Sequence, residues 1–172
     1  NILVERCIEA IEIMADYPDM IWLMEFPEDL GRAQLGDPAS IWQLDRMQAA
    51  LRKSGATQIA VYQCWWETDY GKPTRLVGKL KGLDKFGYPG MPRFSRDRKY
   101  LGPLPKSCGH QHGAWIQKHS LEDTANTAAW PGKMCWDLSG LIFDDWSQRT
   151  PPCGVGLSLS APLPPLTTDQ VM

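Results

Sequence analysis

The chain has 172 residues, of which 43% are apolar, and a formal net charge of −2. This length fits one domain with enough apolar side chains for a core, and the small net charge excludes a globally basic nucleic-acid binder. Five cysteines without paired spacing favour a reducing intracellular compartment over a disulfide framework, and no apolar run approaches the ~20 residues that span a bilayer.

The first predicted element is an amphipathic helix over residues 2–14, where apolar side chains recur at helical spacing. Because this helix is already under way at Asn1, we expect the chain to be a fragment of a longer protein or a processed one. Pro18 ends the helix, and the apolar run over residues 21–25 then predicts a buried strand.

Glu25 closes this predicted strand and is followed by Phe26 and Pro27. A buried strand that stops on an acid brings that acid to the carboxyl edge of a sheet, where open α/β folds bind their ligands. Glu25 is therefore the first candidate functional residue. The alternative is an ordinary polar residue at the end of a strand.

A second helix is predicted over residues 38–54, with Asp37 as N-cap and Gly55 as the C-terminal stop. A second buried strand follows over residues 59–64. Because a short crossover helix joins the two strands, we expect them to be parallel neighbours. A third strand over residues 75–78 is expected to return antiparallel to the second.

The rest of the chain is predicted to contain a long loop and one helix. Residues 82–113 are rich in Gly, Pro and charge, which predicts an ordered loop with little regular structure, and Pro131 opens the last helix. Residues 150–172 are predicted to be a flexible tail. A basic patch or a solvated loop explains the charges at Lys79, Lys81, Lys85, Arg93, Arg96, Arg98 and Lys99.

Cys108, His110 and His112 place three metal-ligand side chains close together in the sequence, and Cys64 ends a predicted strand. Zn²⁺ accepts two cysteines and two histidines as a tetrahedral ligand set. The sequence therefore predicts a structural zinc site, with Cys135 as a substitute ligand or a core residue. The alternative is a polar turn beside a buried Cys64.

The order of these elements and three short motifs resemble the second half of the C5-cytosine DNA methyltransferases. Glu25-Phe26-Pro27 resembles the family's Glu-Asn-Val, with the glutamate kept and the asparagine replaced. Residues 70–75 (Tyr-Gly-Lys-Pro-Thr-Arg) resemble its Tyr-Gly-x-Pro-Gln-x-Arg-x-Arg, with one arginine shifted and the other missing. Residues 125–131 are similar to its Gly-Asn-Ala-Val-Pro segment.

This resemblance implies an α/β fold over residues 1–149: a partial Rossmann-like S-adenosylmethionine-dependent methyltransferase fold with a β-hairpin edge and an irregular Gly/Pro-rich loop region. It implies a DNA partner, S-adenosylmethionine as cofactor and Asn126 as a cofactor-binding residue. Glu25 would bind and help protonate ring nitrogen 3 of a flipped cytosine during thiolate attack at carbon 6. Arg75 would bind the base oxygen or the neighbouring backbone, or else be a solvated strand residue.

Two parts of a complete methyltransferase are missing from this sequence. We find neither a Gly-rich cofactor loop nor a Pro-Cys-Gln nucleophile motif before Glu25, and Cys153 in Pro-Pro-Cys-Gly lacks a preceding buried strand. We therefore expect this chain to supply the base-recognition side of a longer enzyme, inactive alone. The alternative is a non-catalytic, zinc-stabilised nucleic-acid-binding or interaction module, and either function is compatible with an intracellular, including nuclear, location.

Overall fold

The computed structural model describes residues 1–31, 40–112 and 129–149. Within these ranges the α-helices are α1 (Ile2–Met14), α2 (Asp45–Ser54) and α3 (Gly132–Arg149). The strands are β1 (Trp22–Pro27), β2 (Thr57–Tyr62), β3 (Pro73–Lys79), β4 (Tyr88–Pro89), β5 (Arg93–Phe94) and β6 (Tyr100–Gly102). Short 3₁₀ turns cover Ile41–Gln43, Gln63–Trp66 and Leu83–Phe86.

The described strands form one four-stranded sheet and a separate hairpin. The sheet has the order β1-β3-β2-β4, and every neighbouring pair in it is antiparallel. β5 and β6 pair antiparallel as the hairpin. Pro27 of β1 and Val61 of β2 both lie opposite Thr74, so β1 and β2 end at the sheet edge where β3 begins.

The prediction of a partial Rossmann-like methyltransferase fold is wrong, because the sheet is antiparallel throughout. β1 and β2 were expected to be parallel neighbours, but β3 lies between them and takes the facing hydrogen-bonding edge of each. The predicted antiparallel return of β3 against β2 is confirmed. The region expected to have little regular structure contains three short strands, β4 to β6.

Helix predictions are partly confirmed. α1 has the predicted bounds, and Gly55 ends α2 in the left-handed conformation with a φ of 64°. The helix predicted over residues 38–54 begins only at Asp45, because Leu44 before it is extended. The predicted N-cap, Asp37, lies outside the described residues.

Apolar side chains cover both faces of the sheet. On one face, α1 and α2 pack around Trp42 together with Val77 of β3. On the other face, Met134 and Leu138 of α3 pack against apolar residues of β2 and β3. The sheet is therefore a buried layer between these two groups of apolar side chains.

Candidate metal centre and neighbouring polar site

Four potential metal ligands from two distant parts of the chain meet beside the end of β2. Cys64 lies in the 3₁₀ turn that follows β2, whereas Cys108, His110 and His112 lie in the segment after β6. Their ligand atoms all lie within 4.8 Å of one another. These four residues, which we call the metal centre, form a group that can hold a metal ion.

The side chains of the metal centre contact one another in pairs. Cys108 Sγ lies 2.9 Å from His112 Nε2, and His110 Nδ1 lies 3.2 Å from Cys64 Sγ. The other ring nitrogen of His112, Nδ1, lies 3.2 Å from the carbonyl oxygen of Asp69. Since a carbonyl oxygen only accepts, Nδ1 carries the proton in this contact, and Nε2 is left to bind a metal.

Local backbone geometry turns the ligands of residues 108–112 toward Cys64. Gly109 has a φ of +80°, a left-handed conformation that residues with side chains rarely adopt. Before this turn, the Tyr62 hydroxyl donates to the carbonyl oxygen of Pro105 at 2.8 Å and ties the segment to the end of β2. The ligands on either side of Gly109 therefore reach the same thiol.

The two thiols of the metal centre differ in acidity. Burial raises the pKa of Cys64 to about 12, and the neighbouring Cys108 adds to the rise. Burial also opposes ionisation of Cys108, but hydrogen bonds with the His110 backbone and the His112 side chain outweigh it and hold the Cys108 pKa below its ordinary value. A nearby cation would favour the thiolate at both positions, because a metal stabilises the ionised ligand.

Gly71 lies directly against the metal centre. A Cβ atom at this position would lie 2.9 Å from His112 Nε2, closer than real Cβ contacts allow. The missing side chain therefore makes room for the nitrogen that is oriented to bind a metal.

A polar site lies beside the metal centre and consists of Glu25, Gln63, Lys72 and Thr74. Lys72 Nζ lies 3.7 Å from Glu25 Oε1, and the Glu25 side chain is only 15% exposed. Glu25 Oε1 is buried and has no hydrogen-bond partner among the described residues. Buried carboxylate oxygens are normally hydrogen-bonded, so this oxygen keeps an unused capacity to accept a hydrogen bond.

Gln63 contributes a second such oxygen to the polar site. Its Nε2 donates to Thr74 Oγ1 at 3.0 Å, and Thr74 Oγ1 in turn donates to the Lys72 carbonyl oxygen at 3.3 Å. Gln63 Oε1 is buried and unpartnered within the part of the chain that the structure describes. The polar site therefore holds two buried acceptors and one ammonium group.

The metal centre and the polar site are adjacent along the chain at two places. Gln63 of the polar site directly precedes Cys64 of the metal centre, and Lys72 directly follows Gly71, which lies against His112. Displacement of residues 63–64 or of residues 71–72 would therefore disturb both the metal centre and the polar site. Gln63 was not predicted from the sequence, although its position directly after the apolar strand β2 was an available signal. Glu25, which was predicted to end its strand, lies within β1, two residues before the strand ends at Pro27.

Arg75 does not reach the polar site. Its side chain is fully buried, and its Nε and Nη2 donate to the carboxylate of Glu28 at 2.7 and 2.9 Å. Its Nη1 donates to the carbonyl oxygen of Gly90, and the guanidinium lies over the ring of Trp42. Arg75 and Glu25 thus lie on opposite faces of the sheet, and the structure does not bring these two predicted catalytic residues together.

The other predicted site residues divide into two groups. Cys135 is exposed on α3 and is not part of the metal centre, so the prediction that it packs in the core is wrong. Asn126, Cys153 and the predicted tail lie outside the described residues.

Comparison with protein-family models, with curated proteins and with solved structures gave no significant match. Within the described ranges, no helix is both long enough and apolar enough to cross a lipid bilayer.

Proposed function

We propose that the metal centre binds one Zn²⁺ and that the chain is a zinc-stabilised nucleic-acid-binding module. The observation that carries this proposal is the meeting of two thiols and two imidazoles from distant segments within 4.8 Å. Thiolate and imidazole ligands favour zinc over hard cations, and four protein ligands leave no open position for catalysis. The proposed role of the ion is therefore structural.

The two thiol–imidazole contacts of the metal centre are shorter than those of a loaded zinc site. Tetrahedral zinc with sulfur at 2.3 Å and nitrogen at 2.0–2.1 Å places its ligand atoms roughly 3.3 to 3.8 Å apart. In the metal centre, the two measured thiol–imidazole contacts are 2.9 and 3.2 Å. The thiol and imidazole of each pair must therefore separate by several tenths of an ångström to admit the ion.

An exposed basic loop supports the nucleic-acid partner. The hairpin formed by β5 and β6 and its connection carries the exposed side chains of Arg93, Arg96, Arg98 and Lys99, with Asp97 as the acidic residue among them. Such a local positive surface attracts phosphate even when the whole chain is slightly acidic.

Metal analysis and chelation test the zinc proposal. Purified protein should contain close to one zinc per chain, and Co²⁺ in its place should give the absorption bands of a tetrahedral thiolate site. Chelation should lower the melting temperature and weaken salt-dependent binding to a DNA duplex, because zinc-binding energy is then folding energy. Cys108→Ser should lose the metal, whereas the matched control Cys135→Ser should keep it. Metal-free protein with unchanged melting would refute the proposal.

A second candidate function is base recognition in DNA cytosine-5 methylation, favoured by the buried Oε1 of Glu25, which accepts no hydrogen bond from the described residues. A cytosine ring protonated at nitrogen 3 offers N–H donors to this carboxylate, and Lys72 at 3.7 Å is placed to approach the base oxygen. In this proposal the thiolate and S-adenosylmethionine bind elsewhere in the intact parent protein, with Asn126 as a contact to the cofactor.

Glu25→Gln in the intact parent protein tests this second candidate. The change keeps the shape of the side chain but removes the acid, so methyl transfer to a cytosine-containing duplex should fall by roughly 100- to 10,000-fold. DNA binding should change far less, because phosphate contacts supply most of the affinity. Glu67→Gln, at an exposed glutamate, is the control. Wild-type methylation by a folded Glu25→Gln variant would remove the candidate.

A further inference from the structure

A cleft of about 280 Å³ lies on the opposite face of the sheet from the polar site, between α2 and the segment that joins β4 to β5. Its apolar lining comes from Trp42, Leu51, Met91, Pro92 and Phe94. The volume is just below the usual range of small-molecule sites, which is roughly 300–1,000 Å³. The cleft therefore suits a ligand of one or two rings.

One of the polar groups lining the cleft lacks a hydrogen-bond partner. Gln58 Oε1 is buried and unpartnered among the described residues. The two other carboxamides of the lining are already engaged, since Gln43 Nε2 donates to Asp29 and Gln48 Nε2 donates to the Trp42 carbonyl oxygen. A buried acceptor without a donor has lost its hydrogen bonds to water and has gained none in the protein. A hydrogen bond from a ligand N–H to Gln58 Oε1 would therefore be favourable.

A cation lies at the rim of the same cleft. Arg52 lines the cleft from the last turn of α2, its side chain is exposed, and no ion pair involves it within the described ranges. Its neighbour Lys53, by contrast, pairs with Asp16. A guanidinium with unoccupied donors binds a carboxylate through two parallel hydrogen bonds.

We propose that this cleft binds a small, flat aromatic carboxylate that carries a ring N–H. The ring lies against Met91 and Phe94, the N–H donates to Gln58 Oε1, and the carboxylate pairs with Arg52. The arrangement combines an apolar wall with one acceptor and one cation, as small-molecule sites do. This site is independent of the metal centre and of either function proposed above.

Indole-3-acetate is a suitable probe, because it has a flat ring, one N–H and one carboxylate. Titration of isotope-labelled protein, followed by nuclear magnetic resonance, should give saturable shifts at Met91, Phe94 and the Gln58 side-chain amide. Gln58→Met should weaken binding by about 2- to 10-fold, the range of one neutral hydrogen bond. Arg52→Gln should weaken it by about 2- to 5-fold, as expected for an exposed ion pair, while the control Lys53→Gln should not.

A matched ligand separates the hydrogen bond from general packing. 1-Methylindole-3-acetate lacks the ring N–H and should bind wild-type protein more weakly than indole-3-acetate does. The loss should equal the loss of indole-3-acetate affinity that Gln58→Met causes. Against the Gln58→Met variant, the two ligands should bind equally. Absence of saturable shifts at the cleft would overturn the proposal. So would methylation of the probe that lowers its affinity equally for wild-type protein and for the Gln58→Met variant.

Discussion

Gly71→Ala provides a sharp test of the metal centre, because the added methyl group would meet the ring nitrogen with which His112 is oriented to bind a metal. The new Cβ would lie 2.9 Å from His112 Nε2, whereas ordinary contact begins at 3.4 Å, so the nitrogen must retreat by about 0.5 Å. Metal–ligand distances tolerate only about 0.2 Å. A ring held by zinc cannot make this retreat without weakening the bond.

The expected loss is 10- to 100-fold in zinc affinity, the range seen when the support of a ligand is disturbed. This corresponds to about 1.4–2.7 kcal/mol of metal-dependent stability. In the metal-free protein the imidazole can rotate away, and Gly71 does not have a positive φ, so stability should change by less than about 0.5 kcal/mol. The effect is therefore confined to the loaded state.

Competition against a chromophoric chelator measures the affinity, and thermal unfolding with and without excess chelator measures the two stabilities. Gly140→Ala is the control for zinc affinity, because a Cβ at that position of α3 meets no atom within 4 Å beyond the neighbouring backbone of its own helix. Wild-type zinc affinity in the Gly71→Ala protein would refute the placement of His112 Nε2 at the ion. Equal destabilisation of the loaded and metal-free proteins would show that Gly71 serves packing alone.

Two further predictions concern buried charges. Arg75→Met should lower the free energy of unfolding, measured in urea, by about 3–5 kcal/mol, because it leaves Glu28 buried without its cation. Adding Glu28→Gln should recover part of this loss. Strictly additive effects of the two substitutions would contradict the pairing. Hydrogen bonds from Arg149 lower the pKa of Asp145 below its ordinary value, so the stability that this carboxylate provides is present above about pH 4 and is lost as pH falls through the folded-state pKa. Asp145→Asn should therefore differ most from wild type near neutral pH and converge with it in acid, as unfolding titrations at several pH values would show.

The sequence predicted features that depend on short stretches of chain. Helical periodicity placed α1 within its observed bounds, and Gly55 marked the end of α2 because the left-handed conformation there favours glycine. The four residues of the metal centre were also named from ligand chemistry alone, and the structure confirms that they meet. In each case the signal lies in local spacing or in the residue type itself.

The arrangement of the strands could not be predicted in the same way. Apolar runs identified β1, β2 and β3, but a run of buried residues does not state which strand is its neighbour or in which direction that neighbour runs. The position of the Arg75 side chain could not be predicted for a related reason, since it depends on the face of β3 that the residue occupies. One residue of register moves a side chain to the other face.

β3 lies between β1 and β2, yet it is the last of these three strands to leave the ribosome. Until Pro73–Lys79 has been synthesised, β1 and β2 have no strand to share and their apolar side chains lack a sheet to cover them. Pairings over such long separations form slowly, because the loop-closure entropy is lost before the contacts form. A nascent chain that ends before Pro73 therefore holds two apolar strands without the strand that pairs with both of them.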